Sequence, residues 1–366
     1  MNLNDPNLEL VGDVARALVA LDAVKDLAAF HLPYPAEAQR ALDRLVLRTL
    51  RDRAAPPASV PGMVTFCQER PVVDWPLTLP SGLFAPGSRF VDEEYGYLTE
   101  LCFEAATALG TAFPRESPVD TMLDDLAKRC QARQDAAAYS TFRRMLAESP
   151  VLDNEAVSTI NFELPLGLLD DVIWNVYRKA DERWADRGLY RACGGCSHLA
   201  IPLGADEWCC ESDKCGEDVV ESGGSWTDDE GPLHHLDRWH RQFVSRQAQA
   251  VLRLAGRLEA VGAKAEPWPR FGTYDLQILL SHGRTWGIRM VDWGNAALAG
   301  VTERPIDEPS TVDRVYRVVP GERLLADPGY LSTFRAFGPA DGVEVVTDEE
   351  VLRTTEAALV PGGAGA

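Results

Sequence analysis

The sequence has no long apolar run and is poor in positive charge. No apolar run reaches about 18 residues, so we expect no membrane span. The opening residues, MNLNDPNLELVGD, contain neither the basic nor the apolar segment of a secretory signal, so we expect a cytoplasmic protein. Lysine and arginine number 36 against 56 aspartates and glutamates, a net charge of −20. This acidity argues against strong non-specific binding to nucleic acid.

The positive charge that is present is concentrated in one stretch. Residues 191–232 carry two basic and ten acidic side chains, whereas residues 233–265 carry six basic and two acidic ones. Apolar spacing predicts a long helix over 233–262. Arg246, Arg253 and Arg257 fall on one side of that helix, because residues seven and four apart project the same way. They form either a solvated helix face or a contact for the DNA backbone.

Five of the eight cysteines lie within residues 191–218. Cys193 and Cys196 form a CxxC pair, and Cys210 and Cys215 form a second pair after a spacer. Two such pairs are typical of a zinc site, and four thiolates leave no open coordination position. We therefore predict a structural Zn²⁺. The spacing favours Cys210 as the ligand over its neighbour Cys209, which is the alternative.

The coarse pattern predicts a multidomain α+β protein. Helical spacing covers 7–30, 36–53, 91–109, 119–146 and 165–187, and the proline-dense stretch 55–90 predicts a loop with at most one short strand. The predicted parts are a mainly helical domain (1–190), the cysteine cluster (191–220), an acidic loop (221–232), a domain of mixed helix and strand with a leading basic helix (233–360) and a tail (361–366).

The C-terminal part alternates strands and short helices. Strands are predicted at 274–280, 285–293, 315–320 and 343–346, and short helices at 329–337 and 348–359. A helix, a strand bearing an aspartate, a hairpin turn and a second buried strand follow the order of a PD-(D/E)xK nuclease core. Asp275 lies near the start of its strand, where that core has its first acidic residue.

The stretch RTWGIRMVDWGN resembles one version of this core. It is similar to the restriction-endonuclease-like protein that accompanies prokaryotic PIWI proteins of the PIWI-RE type in bacterial defence islands. The segments AYSTFRRMLAESPVLD, WCCESDKC and VYRVVP also resemble that family. The resemblance implies a helical N-terminal region, a zinc-binding cysteine cluster and a C-terminal restriction-endonuclease-like α/β core. It also implies partners from the same system, a PIWI-type protein or a helicase, with DNA as a further candidate.

The chain departs from the family motif W-x-I-E-x-K-D-W at two positions. Arg289 stands where the family has its glutamate, and Val291 where it has its lysine. Only Asp275 remains of the three catalytic positions. Arginine cannot ligate Mg²⁺, and valine cannot polarise water. We therefore expect a catalytically degenerate nuclease domain.

Three functional hypotheses follow from this departure. The first is an accessory defence subunit, in which Arg289 is either a solvated strand residue or pairs with Asp275 or a nucleic-acid phosphate. The second is an active Mg²⁺-dependent DNA endonuclease that uses Asp275 with a displaced acid, for which Asp292 and Glu266 are the nearest candidates. The third is a zinc-stabilised protein-interaction scaffold, which the negative charge favours.

Overall fold

The computed structural model describes residues 5–24, 32–109, 118–163, 172–204, 207–212, 215, 223–280, 283–306 and 312–359. Its main helices are α1 (Pro6–Val24), α2 (Ala36–Arg51), α3 (Val60–Glu69), α4 (Glu100–Ala108), α5 (Pro118–Ala132), α6 (Ala136–Glu148), α7 (Asn154–Glu163), α8 (Arg246–Ala260), α9 (Ala296–Thr302), α10 (Gly321–Ala326), α11 (Tyr330–Phe337) and α12 (Asp348–Leu359). Its strands are β1 (Val151–Leu152), β2 (Tyr177–Lys179), β3 (Ala185–Asp186), β4 (Leu189–Arg191), β5 (Ile201–Gly204), β6 (Glu207–Cys209), β7 (Ser225–Thr227), β8 (His234–Leu236), β9 (Lys264–Pro267), β10 (Leu276–Leu279), β11 (Thr285–Met290), β12 (Arg314–Val319) and β13 (Glu344–Thr347).

The chain forms two compact units that are not continuous in sequence. The first unit consists of Met1–Glu116, Trp293–Arg304 and Ser332–Pro339, and the second consists of Ser117–Asp292, Pro305–Leu331 and Ala340–Ala366. None of the helices in the described part of the chain has the length and apolar character needed to cross a bilayer. The predicted tail, 361–366, lies outside the described residues. The domain boundaries drawn from the sequence stay predictions.

The prolines between residues 55 and 90 do not prevent a helix there. The hydroxyl of Ser59 accepts the N–H of Gly62 at 3.1 Å, and Pro61 lies in the first turn of α3. Proline suits that turn because the N–H it lacks would have no helical partner. The loop predicted for this stretch is therefore wrong over α3. The next helix, α4, begins at residue 100 rather than 91, where the hydroxyl of Thr99 caps it.

Close backbone approach holds α1 against the end of α4 in the first unit. A Cβ added to Gly12 would lie 2.0 Å from the carbonyl oxygen of Leu109, so only glycine fits there. Arg16 donates to the carbonyl of Ala106 at 3.3 Å and also to that of Leu109. These bonds use carbonyls of the last turn of α4, which lack helical partners.

A buried carboxylate joins α4 to α9 within the same unit. Glu104 is 1% exposed, and its two oxygens accept the N–H groups of Gly294 (2.5 Å) and Asn295 (2.9 Å). The side chain of Asn295 then accepts the N–H of Leu298 and caps α9. A helix from the C-terminal part of the sequence therefore belongs to the N-terminal helical unit.

In the second unit, two segments predicted as helical contain strands. β8 pairs antiparallel with both β1 and β2, and these three strands form one small sheet. The helices predicted over 165–187 and from residue 233 are therefore wrong at β2 and β8. Their apolar spacing suited a helix, but cross-strand pairing decided the conformation. Residues 172–176 are helical, and 164–171 lie outside the described residues.

The helix predicted over 119–146 is divided into α5 and α6. Gln134 adopts a left-handed backbone (φ 55°), which ends the first helix. The carboxylate of Asp135 then accepts the N–H of Ala138 at 2.9 Å and starts the second helix. A polar turn of three residues thus interrupts a pattern that reads as one helix in the sequence.

A five-stranded sheet carries the C-terminal part of the second unit. The strand order is β13-β12-β11-β10-β9, with β9, β10 and β11 antiparallel and β11, β12 and β13 parallel. Leu276, Ile278 and Ile288 share one buried core with Leu254 and Leu258 of α8. The sequence did not predict β9, but it did predict β10 to β13 and α12 close to their observed bounds.

Candidate metal centre and nuclease-like core

The first cysteine pair lies on a tight backbone turn. The N–H of Gly195 points at the sulfur of Cys193 at 3.4 Å, and the N–H of Ser197 reaches the carbonyl of Cys193 at 2.7 Å. Ser197 adopts a left-handed backbone with φ 60°. The turn brings the sulfur atoms of Cys193 and Cys196 to the same side, which suits two ligands of one ion.

The second pair follows the β5–β6 hairpin. The N–H of Ser212 points at the sulfur of Cys210 at 3.4 Å, and this sulfur lies 3.5 Å from that of Cys196. The sulfur atoms of Cys193, Cys196, Cys210 and Cys215 all lie within 4.8 Å of one another. Cys210 belongs to this group, whereas its neighbour Cys209 ends β6 outside it.

The donor set fits a tetrahedral divalent metal. A Zn–S distance of about 2.3 Å places tetrahedral sulfur atoms roughly 3.8 Å apart. The observed separations of 3.5 Å to at most 4.8 Å bracket that value. The four thiols titrate as a coupled group: side-chain hydrogen bonds from the other three lower the pKa of Cys193, whereas the hydrogen bond with Cys193 raises the pKa of Cys196, Cys210 and Cys215.

His198, close in sequence to the first pair, has a different role. Its side chain is fully buried, and Nε2 lies 2.9 Å from the hydroxyl of Ser245. Burial, together with the charges of Arg246 and Arg241, holds the pKa of His198 well below its ordinary value. The neutral imidazole therefore ties the cysteine region to the residues just before α8.

In the nuclease-like core, Asp275 directly precedes β10 and is bonded to the neighbouring strand β11. Leu276 pairs with Ile288, and the N–H of Asp275 donates to the carbonyl of Ile288 at 2.9 Å. The Asp275 carboxylate is 7% exposed and accepts the N–H of Met290 at 2.9 Å. This contact gives Asp275 a structural task, since it satisfies a backbone N–H at the end of β11.

The two alternative carboxylates lie in other surroundings. Asp292 is 7% exposed, and its Oδ1 accepts a hydrogen bond from Nε of Arg323 at 2.9 Å. Glu266 is exposed on β9, opposite Gln277. Val291 is 2% exposed, and its N–H donates to the carbonyl of Val318. Among the described residues, the cysteines are the one group of three or more metal-binding side chains with converging ligand atoms.

A second arginine lies beside Arg289 on the neighbouring strand. Arg317 pairs in register with Arg289 and is 1% exposed. Its guanidinium donates to both oxygens of Asp341, at 2.9 Å and 2.6 Å. These hydrogen bonds hold the pKa of Asp341 below its ordinary value. Sequence reasoning missed this pair, because Asp341 lies in a loop remote from the motif.

The three arginines predicted to form one exposed stripe differ in their surroundings. Arg246 is 4% exposed and lies 3.9 Å from Glu211, so it is not on the surface. Arg253 pairs with Glu322 at 3.2 Å, and Arg257 pairs with two carboxylates of α12, those of Asp348 (3.1 Å) and Glu349 (2.6 Å). Spacing alone could not show these contacts, since the acidic partners come from distant segments. A DNA contact by these residues stays a prediction.

Sequence reasoning also missed Glu211, the residue after Cys210. It is 3% exposed and forms ion pairs with Arg238 and Arg241. Burial would raise its pKa, but these two arginines outweigh that effect and hold the pKa well below the ordinary value. The sequence did offer a signal for this cluster: a carboxylate follows a predicted metal ligand directly, and several arginines come about thirty residues later.

Together these features define a mixed α and β protein with a four-cysteine group and a restriction-endonuclease-like part. Residues 248–360 match the family model described as REase associating with pPIWI_RE. Residues 10–153 match the model described as pPIWI_RE three-gene island domain Y. The chain carries both domains, so the resemblance to the restriction-endonuclease-like protein associated with PIWI-RE is confirmed. No curated protein and no solved structure matches it.

The two matched regions do not coincide with the two compact units. The domain Y match extends past residue 116, where the first unit leaves the N-terminal segment. The REase match includes 293–304 and 332–339, which belong to the first unit. Each unit is therefore built from parts of both matched regions.

Proposed function

We propose that this protein is a non-cleaving accessory subunit of a bacterial PIWI-RE defence system. Its zinc-stabilised body carries a nuclease-like domain that binds a partner protein or nucleic acid of the same system without hydrolysing it. The observation that carries the proposal is Arg289 on β11, in the position of the family's glutamate, while the carboxylate of Asp275 accepts the backbone N–H of Met290. A positive side chain there repels the divalent cation that phosphodiester hydrolysis of this type requires.

The surroundings of the other carboxylates support the same conclusion. A metal-dependent nuclease needs at least two acidic groups that converge on one ion. The Asp275 carboxylate is engaged by a backbone N–H, and that of Asp292 by the guanidinium of Arg323. Glu266 lies exposed on β9. An active nuclease built on Asp275 would require further ligands to converge on it, whereas among the described residues the one group of three or more converging metal-binding side chains is that of the four cysteines.

The proposed zinc site is structural. Cys193, Cys196, Cys210 and Cys215 would hold the ion with four thiolates, which leaves no position for water or substrate. The ion would supply folding free energy by joining two loop segments of little apolar core. Metal analysis of the purified protein should give one zinc per chain, and a Cys193→Ser variant should lose both the metal and the fold of this region.

A PIWI-type protein or a helicase of the same system is the partner that we favour. The net charge of −20 opposes a broad DNA surface, and Arg253 and Arg257 are paired with acidic residues of the same chain. A DNA contact, if present, would centre on Arg289, whose partly exposed side chain lies beside the buried Arg317. The guanidinium of Arg289 would then donate hydrogen bonds to one phosphate of the DNA.

A cleavage assay tests the proposal directly. Supercoiled plasmid and single-stranded DNA are incubated with the wild-type protein and Asp275→Ala, in Mg²⁺ and in Mn²⁺, and we expect no cutting by either protein. Cutting by the wild type that disappears in Asp275→Ala would establish the active-nuclease alternative instead.

A binding assay then separates DNA contact from a pure protein scaffold. Salt-dependent DNA retention should fall in Arg289→Ala and stay unchanged in Arg40→Ala, a control arginine on α2 that is 72% exposed. No retention of any DNA at low salt would favour the scaffold.

A further inference from the structure

Glu211 links the second cysteine pair to the segment that leads into α8. It follows Cys210 directly, and its two carboxylate oxygens accept Nε (2.6 Å) and Nη2 (2.9 Å) of Arg241. Arg238 adds a second ion pair, and its Nη2 also reaches the backbone carbonyl of Glu211 at 3.5 Å. All three side chains are nearly excluded from solvent, so these bonds are weakly screened.

Arg241 is itself fixed from several sides. Its Nη1 contacts Nδ1 of His235 at 3.0 Å and donates to the carbonyl of Leu236, and its guanidinium lies 4.9 Å from the ring centre of Trp184. A movement of Glu211 would therefore leave a positive charge in a closed, rigid pocket. Loss of the ion pair would lower the stability of this region strongly, because the buried guanidinium has no access to water that could replace the carboxylate.

The first cysteine pair is attached to the same segment by separate contacts. His198 Nε2 lies 2.9 Å from the Ser245 hydroxyl, and Nε2 of Gln249 donates to the carbonyl of Cys196 at 2.8 Å. Residues 238–249 thus hold one loop through Glu211 and the other through His198 and Cys196. Arg241–Ser245 within this segment form a π-helical turn, a rare conformation that occurs mostly as single turns inside α-helices, often at functional sites.

We propose that Glu211 couples metal binding at the four cysteines to the conformation of residues 238–249, the entry to the nuclease-like domain. This inference depends on the proposed metal site. A metal that joins Cys196 and Cys210 fixes the distance between the two loops, and both loops are anchored on the same helical segment. Without the metal the loops separate, Glu211 leaves Arg241, and the π-helical turn loses its support. Coupling of this kind is reciprocal, so weakening the Glu211 contact weakens metal binding.

The test is hydrogen exchange of peptides covering 238–249, together with metal affinity measured by competition with a chelator. In the zinc-loaded wild type, chelation should accelerate exchange there by about 100-fold or more, as expected when a buried ion pair is broken. Glu211→Gln should show fast exchange in the same peptides while zinc-loaded, and it should bind zinc at least about tenfold more weakly.

Glu322→Gln is the matched control. It removes a carboxylate that pairs with Arg253 of the same helix, but at the half-exposed surface. We expect wild-type exchange and wild-type zinc affinity from it. If Glu211→Gln fails to fold, Arg241→Lys replaces it, because lysine keeps the charge and loses the two-pronged contact.

Two results would overturn the coupling. One is wild-type exchange and wild-type zinc affinity in a folded Glu211→Gln or Arg241→Lys protein. The other is unchanged exchange of 238–249 after zinc is removed from the wild type. Neither result bears on DNA cleavage, and the absence of bound zinc in the purified wild type would instead refute the metal site itself.

Discussion

Replacement of Asp275 distinguishes a structural carboxylate from a metal ligand. In the structure its carboxylate accepts the N–H of Met290 at 2.9 Å and is 7% exposed. Asp275→Ala removes the acceptor and leaves that N–H without a partner near the end of β11. We therefore expect the variant to be less stable than the wild type, whether or not a divalent cation is present.

The size of the effect follows from the burial of the hydrogen bond. Loss of a buried hydrogen bond to a charged group costs about 1–3 kcal/mol in the free energy of unfolding. For a unit of this size, each kcal/mol lowers the melting temperature by roughly 2–4 °C. Asp275→Asn keeps an acceptor oxygen of similar shape, so it should lose less than half of that amount. Glu266→Ala, on the exposed face of the same sheet, should change stability by no more than about 0.5 kcal/mol.

The assay is urea or thermal unfolding of the wild type and the three variants. Each is measured with and without Mg²⁺ at roughly 10 mM, a concentration that should saturate even a weak site. If Asp275 were a metal ligand, Mg²⁺ would change the stability difference between the wild type and the variant. The wild type would gain stability from Mg²⁺, Asp275→Ala would not, and the variant would equal or exceed the wild type without metal. That pattern would refute the structural role of Asp275 and would support the hypothesis of an active nuclease.

Two further predictions concern packing and pH. Gly12→Ala should destabilise the first unit by about 3 kcal/mol or more, because its Cβ would lie 2.0 Å from a backbone oxygen. Gly256→Ala, in open space on α8, should instead stabilise the protein by about 0.5–1 kcal/mol. Urea unfolding measures both changes, and equal effects on the free energy of unfolding would contradict the packing. Arg317 lowers the pKa of Asp341, so the ionised pair stabilises the fold above the ordinary carboxyl pKa of about 3.9, and this contribution is lost as the pH falls below it. The free energy of unfolding should fall less between pH 6 and pH 3 in Asp341→Asn than in the wild type. An equal fall in both proteins would refute the role of this pair.

The first unit brings together segments that are distant in the sequence. Glu104, within the domain Y match, accepts the N–H groups of Gly294 and Asn295 just before α9, and these three residues belong to the first unit. The segment after the Arg289 strand is therefore held by N-terminal helices.

The sequence by itself determined the local features whose causes are local. The spacing of the cysteines predicted the group that the structure brings within 4.8 Å, because a short knuckle fixes where its two sulfurs can point. Alternating and helical apolar patterns predicted β10 to β13 and α12, since burial of one face depends mainly on residues close in sequence. The departure at Arg289 and Val291 was also visible without coordinates.

Only the tertiary structure decided which distant residues meet. β8 is a strand because β1 and β2 pair with it, although its own spacing favoured a helix. Arg246 is buried near Glu211, and Asp292 is engaged by Arg323, contacts that span 35 and 31 positions in the chain. Helical or strand periodicity carries no information about such partners. The sequence therefore specified the residues of the candidate site, whereas long-range ion pairs and cross-strand hydrogen bonds determined which partner each of them contacts.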